Sequence, residues 1–162
     1  MGILDGHPGK PPRVAGFDEL TAEECWELLA AQAVGRIGYT GTHGPQILPV
    51  NHAVDGDTIV FRTAAYNSLA RDVSGNRVAF EVDDLNEPSC TGSSVLAVGP
   101  AEMVNDPDDL VRLWTRDGAA EPWAPGTRTL YIRISPQTVT GRRIRPTTGG
   151  RSLAHSSNQT RS

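Results

Sequence analysis

The sequence predicts an α+β protein built on a small antiparallel barrel with peripheral helices. Its 162 residues are the size of one ordinary domain. Strand-like segments follow one another with short turns between them, which favours antiparallel pairing of neighbours along the chain. Helical signals interrupt this meander at only a few points, so the helices are expected to lie outside the sheet.

The first predicted element is a helix that begins after Thr21. Thr21 and Glu24 have the spacing of a capping box, in which each side chain accepts a hydrogen bond from the other residue's backbone N–H. Cys25 and Leu29 then lie on one apolar face at helical spacing. The helix is expected to end within residues 32–35.

The centre of the chain is predicted to be rich in strands. Asp55 and Gly56 lie between two apolar segments and are typical of a type I′ hairpin turn, because both central residues of that turn need a positive φ. A short helix over residues 66–74 is expected to end at Gly75. The predicted strands of this part are residues 36–40, 45–54, 58–63, 77–83 and 94–104.

A second clear helix is predicted from residue 106 onward. Asp106 suits the N-cap, and Pro107 takes the first helical position, where its missing N–H costs nothing. Gly118 is expected to end this helix. Two further strands, residues 127–135 and 138–145, complete the element order.

The two ends of the chain are predicted to lie outside the folded domain. Residues 1–16 contain three prolines and four glycines, and residues 146–162 are mostly small and polar. Neither segment can bury enough apolar surface to offset its ordering entropy. We therefore expect a disordered leader over 1–16, a folded domain over 17–145 and a disordered tail over 146–162.

Charge and composition argue against several classes of partner and location. The 15 basic and 19 acidic residues give a net charge of −4, so nucleic-acid binding is not expected. No apolar run approaches the ~20 residues that span a bilayer, and the N-terminus lacks the apolar segment of a secretory signal. Cys25 and Cys90 form no CxxC pair, which fits the reducing cytoplasm, although spacing alone leaves a disulfide between them open.

No motif for metal binding or nucleophilic catalysis occurs in the sequence. The four histidines have no metal-ligand spacing, and GxSxG, GxGxxG and P-loop patterns are absent. We expect no metal site. Tyr39, His52 and Arg36 are acid–base candidates by side-chain type alone. A place in the core or barrel wall is the favoured interpretation for each, and for His52 a hydrogen-bonded place in the wall.

One group of polar residues suits a phosphate. The third strand ends at Arg62 and Thr63, and Asn67 and Ser68 begin the short helix that follows. A strand-to-helix junction presents free N–H groups, to which these side chains add a guanidinium, two hydroxyls and an amide. From the residues alone, an ordinary helix cap remains the alternative.

Several short segments carry a family resemblance through their order and spacing. They are residues 24–29 (ECWELL), 34–37 (VGRI), 48–51 (LPVN), 55–57 (DGD), 61–63 (FRT), 78–83 (VAFEVD), 94–95 (SV) with Gly99, 122–123 (PW) and 139–144 (VTGRRI). Together they cover about three quarters of the chain, and they resemble the pyridoxamine 5′-phosphate oxidase-like family of FMN-binding split barrels. The similarity is greatest to its small actinobacterial and nitroimidazole-resistance-like members.

The resemblance implies a six-stranded split barrel that forms a homodimer, with FMN in grooves at the dimer interface. Residues 48–51 would lie along the isoalloxazine ring, residues 62–68 would bind the phosphate, and residues 94 and 142 would reach the cofactor held mainly by the other subunit. The cofactor-binding residues implied in this way are Leu48, Pro49, Val50, Asn51, Arg62, Thr63, Asn67, Ser68, Ser94 and Arg142.

The expected function is that of an FMN-dependent oxidoreductase acting on a small molecule that the sequence does not identify. A reductase that uses the deazaflavin F420 is the alternative among enzymes. Its acidic tail calls for a groove lined with lysine or arginine, and no such groove is evident in the sequence. A flavin- or haem-binding module without turnover is the alternative from another class.

The sequence departs from the family pattern at two positions. Ser68 stands where related chains usually have a lysine, and Ser93 stands where a tryptophan is common. Loss of one charge-assisted hydrogen bond, about 1.5–3 kcal/mol, would weaken FMN binding by roughly one to two decades. Arg62 and Arg71 are the candidates to compensate. Loss of the tryptophan would open the pocket beside the flavin.

Overall fold

Eight strands and three helices make up the described part of the chain. The structure is a computed structural model and describes residues 14–64, 68–116 and 126–146. The elements are β1 (Val14–Glu19), α1 (Ala22–Ala31), β2 (Val34–Gly41), β3 (Gly44–Asp55), β4 (Thr58–Thr63), α2 (Ser68–Val73), β5 (Arg77–Asn86), β6 (Thr91–Met103), α3 (Pro107–Thr115), β7 (Leu130–Ile134) and β8 (Thr138–Pro146).

Six of the strands close into a barrel. The sheet order is β1-β8-β6-β5-β2-β3-β4-β7, every pairing is antiparallel, and an additional pairing of β6 with β7 joins the two ends of the six-stranded part. The thirteen residues of β6 make this closure possible, since residues 92–98 pair with β8 and residues 101–103 pair with β7. The predicted α+β class and six-stranded split barrel are confirmed, and β8 and β1 extend one sheet beyond the barrel.

The core fills the barrel and continues under two helices. Ile37, Phe61 and Phe80 are fully buried in its centre, and α1 closes one side with Cys25 and Leu29. A smaller apolar cluster, made of Val60, Val104, Leu113 and Tyr131, lies between the barrel wall and α3. Among the described residues, no helix has the length and apolar character needed to cross a membrane.

The two longer helices begin at their predicted caps. Thr21 accepts a hydrogen bond from the Glu24 N–H at 3.2 Å, and the Glu24 carboxylate accepts one from the Thr21 N–H at 2.8 Å. The Asp106 side chain accepts from the Asp109 N–H at 2.9 Å, with Pro107 next to the cap. α3 ends at Thr115, before Gly118, which lies outside the described residues.

An ion-pair cluster fixes α3 to the barrel. The Asp55 carboxylate accepts two hydrogen bonds from Arg112, at 2.7 and 2.9 Å, and further contacts from Arg116 and Arg133. The hydrogen bonds from Arg112, with the charges of the three guanidinium groups, hold the pKa of Asp55 below its ordinary value. Asp55, which the sequence analysis places only in a turn, therefore also holds α3 against the barrel.

The strand boundaries differ from the sequence prediction at several places. β1 was not predicted, and the expected start of the domain at residue 17 falls inside it. β5 extends to Asn86 and β6 begins at Thr91, so both strands are longer than predicted. Their polar residues there form a regular ladder, which hydrophobic alternation does not reveal. β7 begins at Leu130 rather than at residue 127. Residues 1–13 and 147–162 lie outside the described part, so disorder at the two ends stays a prediction.

His52 has the structural role that the sequence analysis favoured. Its ring is 6% exposed, Nε2 lies 2.7 Å from the Leu29 carbonyl oxygen, and the ring contacts Phe80 edge to face. Burial lowers the pKa of His52, because the charged imidazolium is poorly solvated there. Both cysteines are free thiols, Cys25 buried and Cys90 partly exposed.

Gly35 and Gly38 on β2 form a matched pair for testing how tightly the barrel is packed. A Cβ at residue 35 would overlap the Phe80 ring, whereas one at residue 38 would meet the Ala79 Cβ at an ordinary 3.6 Å. We expect Gly35→Ala to lower the free energy of unfolding by about 1–3 kcal/mol through overpacking, and Gly38→Ala to change it little. Urea unfolding of both variants measures this, and equal effects would contradict the packing described here.

We expect the free energy of unfolding to decrease as the pH is lowered through the range in which an unfolded histidine takes up a proton. Because the folded state lowers the pKa of His52, its stabilising effect is complete above the ordinary value of about 6.5 and declines as pH falls below it. The slope reaches at most about 1.4 kcal/mol per pH unit. Urea unfolding at pH 7.5, 6.5 and 5.5 should show this slope in the wild type. The His52→Gln variant should show a smaller slope. An unchanged slope in that variant would mean that another group causes the pH dependence.

Candidate functional site

Half of β3 has no strand neighbour on one edge within the described chain. Residues 44–51 pair with β2, but β4 pairs only with residues 52–55. The edge of residues 45–50 is therefore open on the side where β4 would otherwise lie. Backbone hydrogen-bonding groups at such an edge need water or a ligand as partners.

The direction of these backbone groups follows from one hydrogen bond. The His52 N–H donates to the Ala33 carbonyl oxygen, so even-numbered residues of β3 direct their backbone groups toward β2. Odd-numbered residues consequently face the open edge. Pro45 and Pro49 are both odd-numbered, and because proline has no backbone N–H, neither leaves a donor without a partner at the open edge. The open edge thus offers the carbonyl oxygens of Ile47 and Pro49 and the N–H of Ile47.

The four predicted residues of β3 divide between two faces. Leu48 and Val50 pack against the barrel core, whereas Pro49 is exposed on the outer face of the sheet. The Asn51 side-chain amide donates to the Ala33 carbonyl oxygen at 3.3 Å. The backbone of this segment, rather than its side chains, is what remains available along the open edge.

Arg62 and Thr63 point to opposite faces of β4. The Arg62 Nε and Nη2 atoms donate to the Arg128 carbonyl oxygen at 3.1 and 2.8 Å, and the guanidinium lies 4.3 Å from the centre of the Trp114 ring. Thr63 is buried on the side of the barrel core. The Arg62 side chain is thus engaged in packing under α3. The sequence could not reveal its partner Arg128, which lies 66 residues away.

The predicted phosphate residues are only partly brought together. Asn67 lies outside the described residues, and Ser68 begins α2. Ser68 lines a cleft of about 200 Å³ between α2 and the β2–β3 hairpin. Other residues of this α2 cleft are Tyr39, His43, Gln46, Arg71 and Asp72.

Ser94 and Arg142 are direct cross-strand neighbours on β6 and β8. They share the outer face of the sheet with Phe17 and Leu85, around a cleft of about 250 Å³. Phe17 belongs to the strand that sequence reasoning missed. The alternation of apolar and polar residues there is too short to be a signal, and the strand forms because β8 supplies its ladder.

Ser93, where the family pattern commonly has a tryptophan, lines a further cleft of about 420 Å³ beside α1. Glu24, Glu27 and Arg143 also line it. The Arg143 guanidinium lies 3.1 Å from the Glu24 carboxylate. The Thr21 amide and this guanidinium lower the pKa of Glu24, so the carboxylate is a cap and ion-pair partner.

Within one chain, the predicted cofactor residues form separate groups. Asn51 lies on β3 and Ser94 on β6, and β2 and β5 separate these two strands in the sheet. The Ser94–Arg142 pair lines one of the clefts described above, and Ser68 lines another.

The outer face of this sheet is apolar where a partner could cover it. Of the large hydrophobic side chains that are exposed in the described part, four lie on it, namely Phe17, Ile47, Leu85 and Leu96. The sequence carries a signal for this, since residues 47–50 are apolar on both faces of one strand, which is typical of a strand covered on both sides. Isolated apolar residues are normal on a surface, whereas these four share one sheet face.

The acid–base candidates are mostly engaged in structural contacts. Arg36 donates to Glu81 and Asp83 at 2.9 and 2.8 Å, and His52 is buried against Leu29. Tyr39 lines the α2 cleft. In the described ranges, no group of three or more His, Cys, Asp and Glu side chains is placed to hold a metal ion.

Comparisons with known proteins agree with this architecture. A family model described as pyridoxamine 5′-phosphate oxidase matches residues 21–143. An uncharacterised protein of Mycobacterium tuberculosis, Rv0080, is 34% identical over 131 residues, which cover 78% of this chain and 84% of that protein.

Solved structures give the same result. The FAD binding protein from Mycobacterium smegmatis is 36% identical, with a TM-score of 0.66, covering 78% of this chain and 97% of that one. A conserved protein of unknown function from Corynebacterium diphtheriae is 27% identical, with a TM-score of 0.66, covering 79% of this chain and 98% of that one. With its closed split barrel and a family match over most of its length, the chain belongs to the pyridoxamine 5′-phosphate oxidase family.

Proposed function

We propose that the protein is an FMN-binding oxidoreductase that works as a cytoplasmic homodimer on a small-molecule substrate. The observation that carries this proposal is the open edge of β3. The pyrimidine side of a flavin ring has an N–H between two carbonyl oxygens. The backbone carbonyls of Ile47 and Pro49 are acceptors for such an N–H, and the Ile47 N–H is a donor for a ring carbonyl.

The protein's contribution is to bind and orient this ring. A bound flavin supplies two-electron transfer at its N5 atom. Exposed apolar groups beside the edge, Ile47 and Pro49, exclude water from one side of a flat ring. No side chain of the described residues is singled out as an acid or base, so we assign the protein binding and orientation only.

A second copy of the chain completes the proposed site. The outer sheet face that carries Leu96 and Ile47 is suited to an isologous contact, in which the same surface is used by both chains. Such a contact supplies Ser94 and Arg142 from the partner, since in one chain their strands are separated from β3 by β2 and β5. The proposed dimer thus accounts for both the exposed face and the divided site.

FAD is the second candidate for the cofactor. The 36%-identical structure from Mycobacterium smegmatis is described as FAD binding, which favours a dinucleotide flavin in a related barrel. FMN and FAD share the isoalloxazine ring and ribityl phosphate, so the β3 edge suits both. The released chromophore distinguishes them.

We expect the purified protein, or the protein after addition of FMN, to show the visible absorption bands of a bound flavin. Denaturation and chromatography then identify the released chromophore as FMN, FAD or F420. A protein that is colourless and fails to bind both FMN and FAD at micromolar concentration would overturn the proposal. Where flavin binds, reduction by NAD(P)H followed by reoxidation with quinones or nitroaromatics supports an oxidoreductase, and no electron transfer to any acceptor supports a non-catalytic module.

The proposed dimer predicts a difference between two exposed apolar residues. Leu96→Glu places a charge on the outer sheet face, whereas Val111→Glu places one on α3, away from that face. We expect light scattering to give twice the mass of one chain for the wild type and Val111→Glu, and the mass of one chain for Leu96→Glu. Flavin affinity should fall with dimerisation in Leu96→Glu only, and a Leu96→Glu dimer would place the interface elsewhere.

A further inference from the structure

The cleft that Arg142 lines on the outer sheet face is built by four strands that are adjacent in the sheet. Phe17 comes from β1, Arg142 from β8, Ser94 from β6 and Leu85 from β5. Its volume of about 250 Å³ lies below the roughly 300–1,000 Å³ that is typical of pockets for drug-sized ligands. The Arg142 cleft therefore suits a small molecule, about the size of one aromatic ring with a substituent.

The walls of the Arg142 cleft are apolar on two sides. Phe17 and Leu85 are 62% and 59% exposed, so each has apolar surface that a ligand could cover. Leu85 lies directly over Gly92, because a Cβ at residue 92 would be 2.6 Å from the Leu85 Cδ2 atom. The missing side chain at residue 92 thus lets Leu85 lie close to the sheet and form a wall of the cleft.

The polar side of the cleft carries an arginine without a carboxylate partner. Arg142 forms no ion pair within the part of the chain that the structure describes, whereas Arg143 and Arg145 pair with Glu24 and Asp18 at 3.1 and 2.7 Å. Residues 143 and 145 lie on the opposite face, since side chains alternate along a strand. Of these three arginines of β8, the one that faces the cleft is therefore the one available to a ligand.

Two carboxylates lie near Arg142 in the sheet. Asp83 is the cross-strand neighbour of Ser94, and it accepts a hydrogen bond from Arg36 at 2.8 Å. Glu19 is the cross-strand neighbour of Arg142 on β1 and is exposed. An anion bound at Arg142 would be repelled by Glu19, so the charge of Glu19 should weaken the binding of that anion.

We propose that the Arg142 cleft binds the carboxylate of a small aromatic substrate, with Arg142 and Ser94 holding the carboxylate and Phe17 and Leu85 contacting the ring. This inference rests on the proposed function, since it names the substrate class of the site that two chains complete. A guanidinium can donate two parallel hydrogen bonds to a carboxylate, and the Ser94 hydroxyl is a further donor. A second chain over the outer sheet face would exclude water and strengthen these bonds. Arg142 then serves the substrate rather than the cofactor.

The two other clefts that contain an arginine are less suited to an anion. The cleft beside α1 contains the carboxylates of Glu24, Glu27 and Asp84, and its Arg143 already pairs with Glu24. In the α2 cleft, the arginine donates to a neighbouring carboxylate at 3.1 Å. Both clefts would place an anion beside negative charge that lines the cleft itself.

The test compares benzoate with benzamide, its uncharged analogue, on the flavin-loaded protein. We expect calorimetric titration to show tighter binding of benzoate than of benzamide. Arg142→Gln should weaken benzoate binding by about 10-fold and leave benzamide binding unchanged. Glu19→Gln should strengthen benzoate binding by about 2- to 5-fold, because it removes the repelling charge. Arg145→Gln is the matched control, since it removes an exposed arginine of the same strand that lies on the other face, and it should not change the benzoate affinity.

Electron transfer gives a second measurement of the same preference. Where the flavin-loaded protein passes electrons from NAD(P)H to nitroaromatics, 4-nitrobenzoate should have a lower KM than 4-nitrobenzamide. Arg142→Gln should remove this difference in KM. Equal KM values in the wild type would overturn the substrate role of the cleft.

The outcomes separate this inference from the proposed function. Wild-type protein that binds no flavin overturns both. If flavin binds, equal affinity for benzoate and benzamide, or unchanged benzoate affinity in Arg142→Gln, overturns the carboxylate site alone. Weaker FMN binding in Arg142→Gln with unchanged benzoate binding assigns Arg142 to the cofactor instead. Thermal unfolding and light scattering confirm that each variant is folded and dimeric, and if Arg142→Gln is not, the benzoate affinity of Glu19→Gln decides.

Discussion

Closure of the barrel depends on one strand having two different neighbours on the same edge. β6 pairs with β5 on one side, while its other edge pairs first with β8 and then with β7. The change occurs around Gly99, where the Ser135 backbone comes too close for any Cβ. β7 also pairs with β4, whose six residues pair with β3 only at residues 52–55. The rest of β3 therefore keeps an open edge.

The sequence predicts those parts of the fold that are decided locally. The Thr21 capping box, the Asp106 cap and the hairpin at Asp55-Gly56 each need only residues within a few positions of one another. The predicted type I′ turn is wrong, because Gly56 is the only residue of the turn with a positive φ and Asp55 pairs with Thr58 as part of its strand. β1 depends instead on β8, more than a hundred residues away, and its own residues include a glycine and two acids that weaken strand propensity. Local sequence patterns therefore could not predict β1.

The candidate site could be predicted by residue type and segment but not by role. The family resemblance directed attention to residues 48–51, yet the pairing register was needed to show that the backbone of Pro49 faces the open edge, while Leu48 and Val50 pack against the core. Arg62 has the right chemistry for a phosphate, but its partners, Trp114 and Arg128, are supplied by distant elements.

The two prolines of β3 also disfavour aggregation through the open strand edge. A bare strand edge is a template on which another chain can add a strand, and proteins usually cover it or interrupt it. Pro45 and Pro49 remove the donor at alternate outward positions, so an incoming strand finds no regular ladder to join. A small ring needs only one donor and one or two acceptors, which are still present. The edge is therefore poorly suited to pairing with another polypeptide strand, whereas it suits the short planar ring of the proposed flavin.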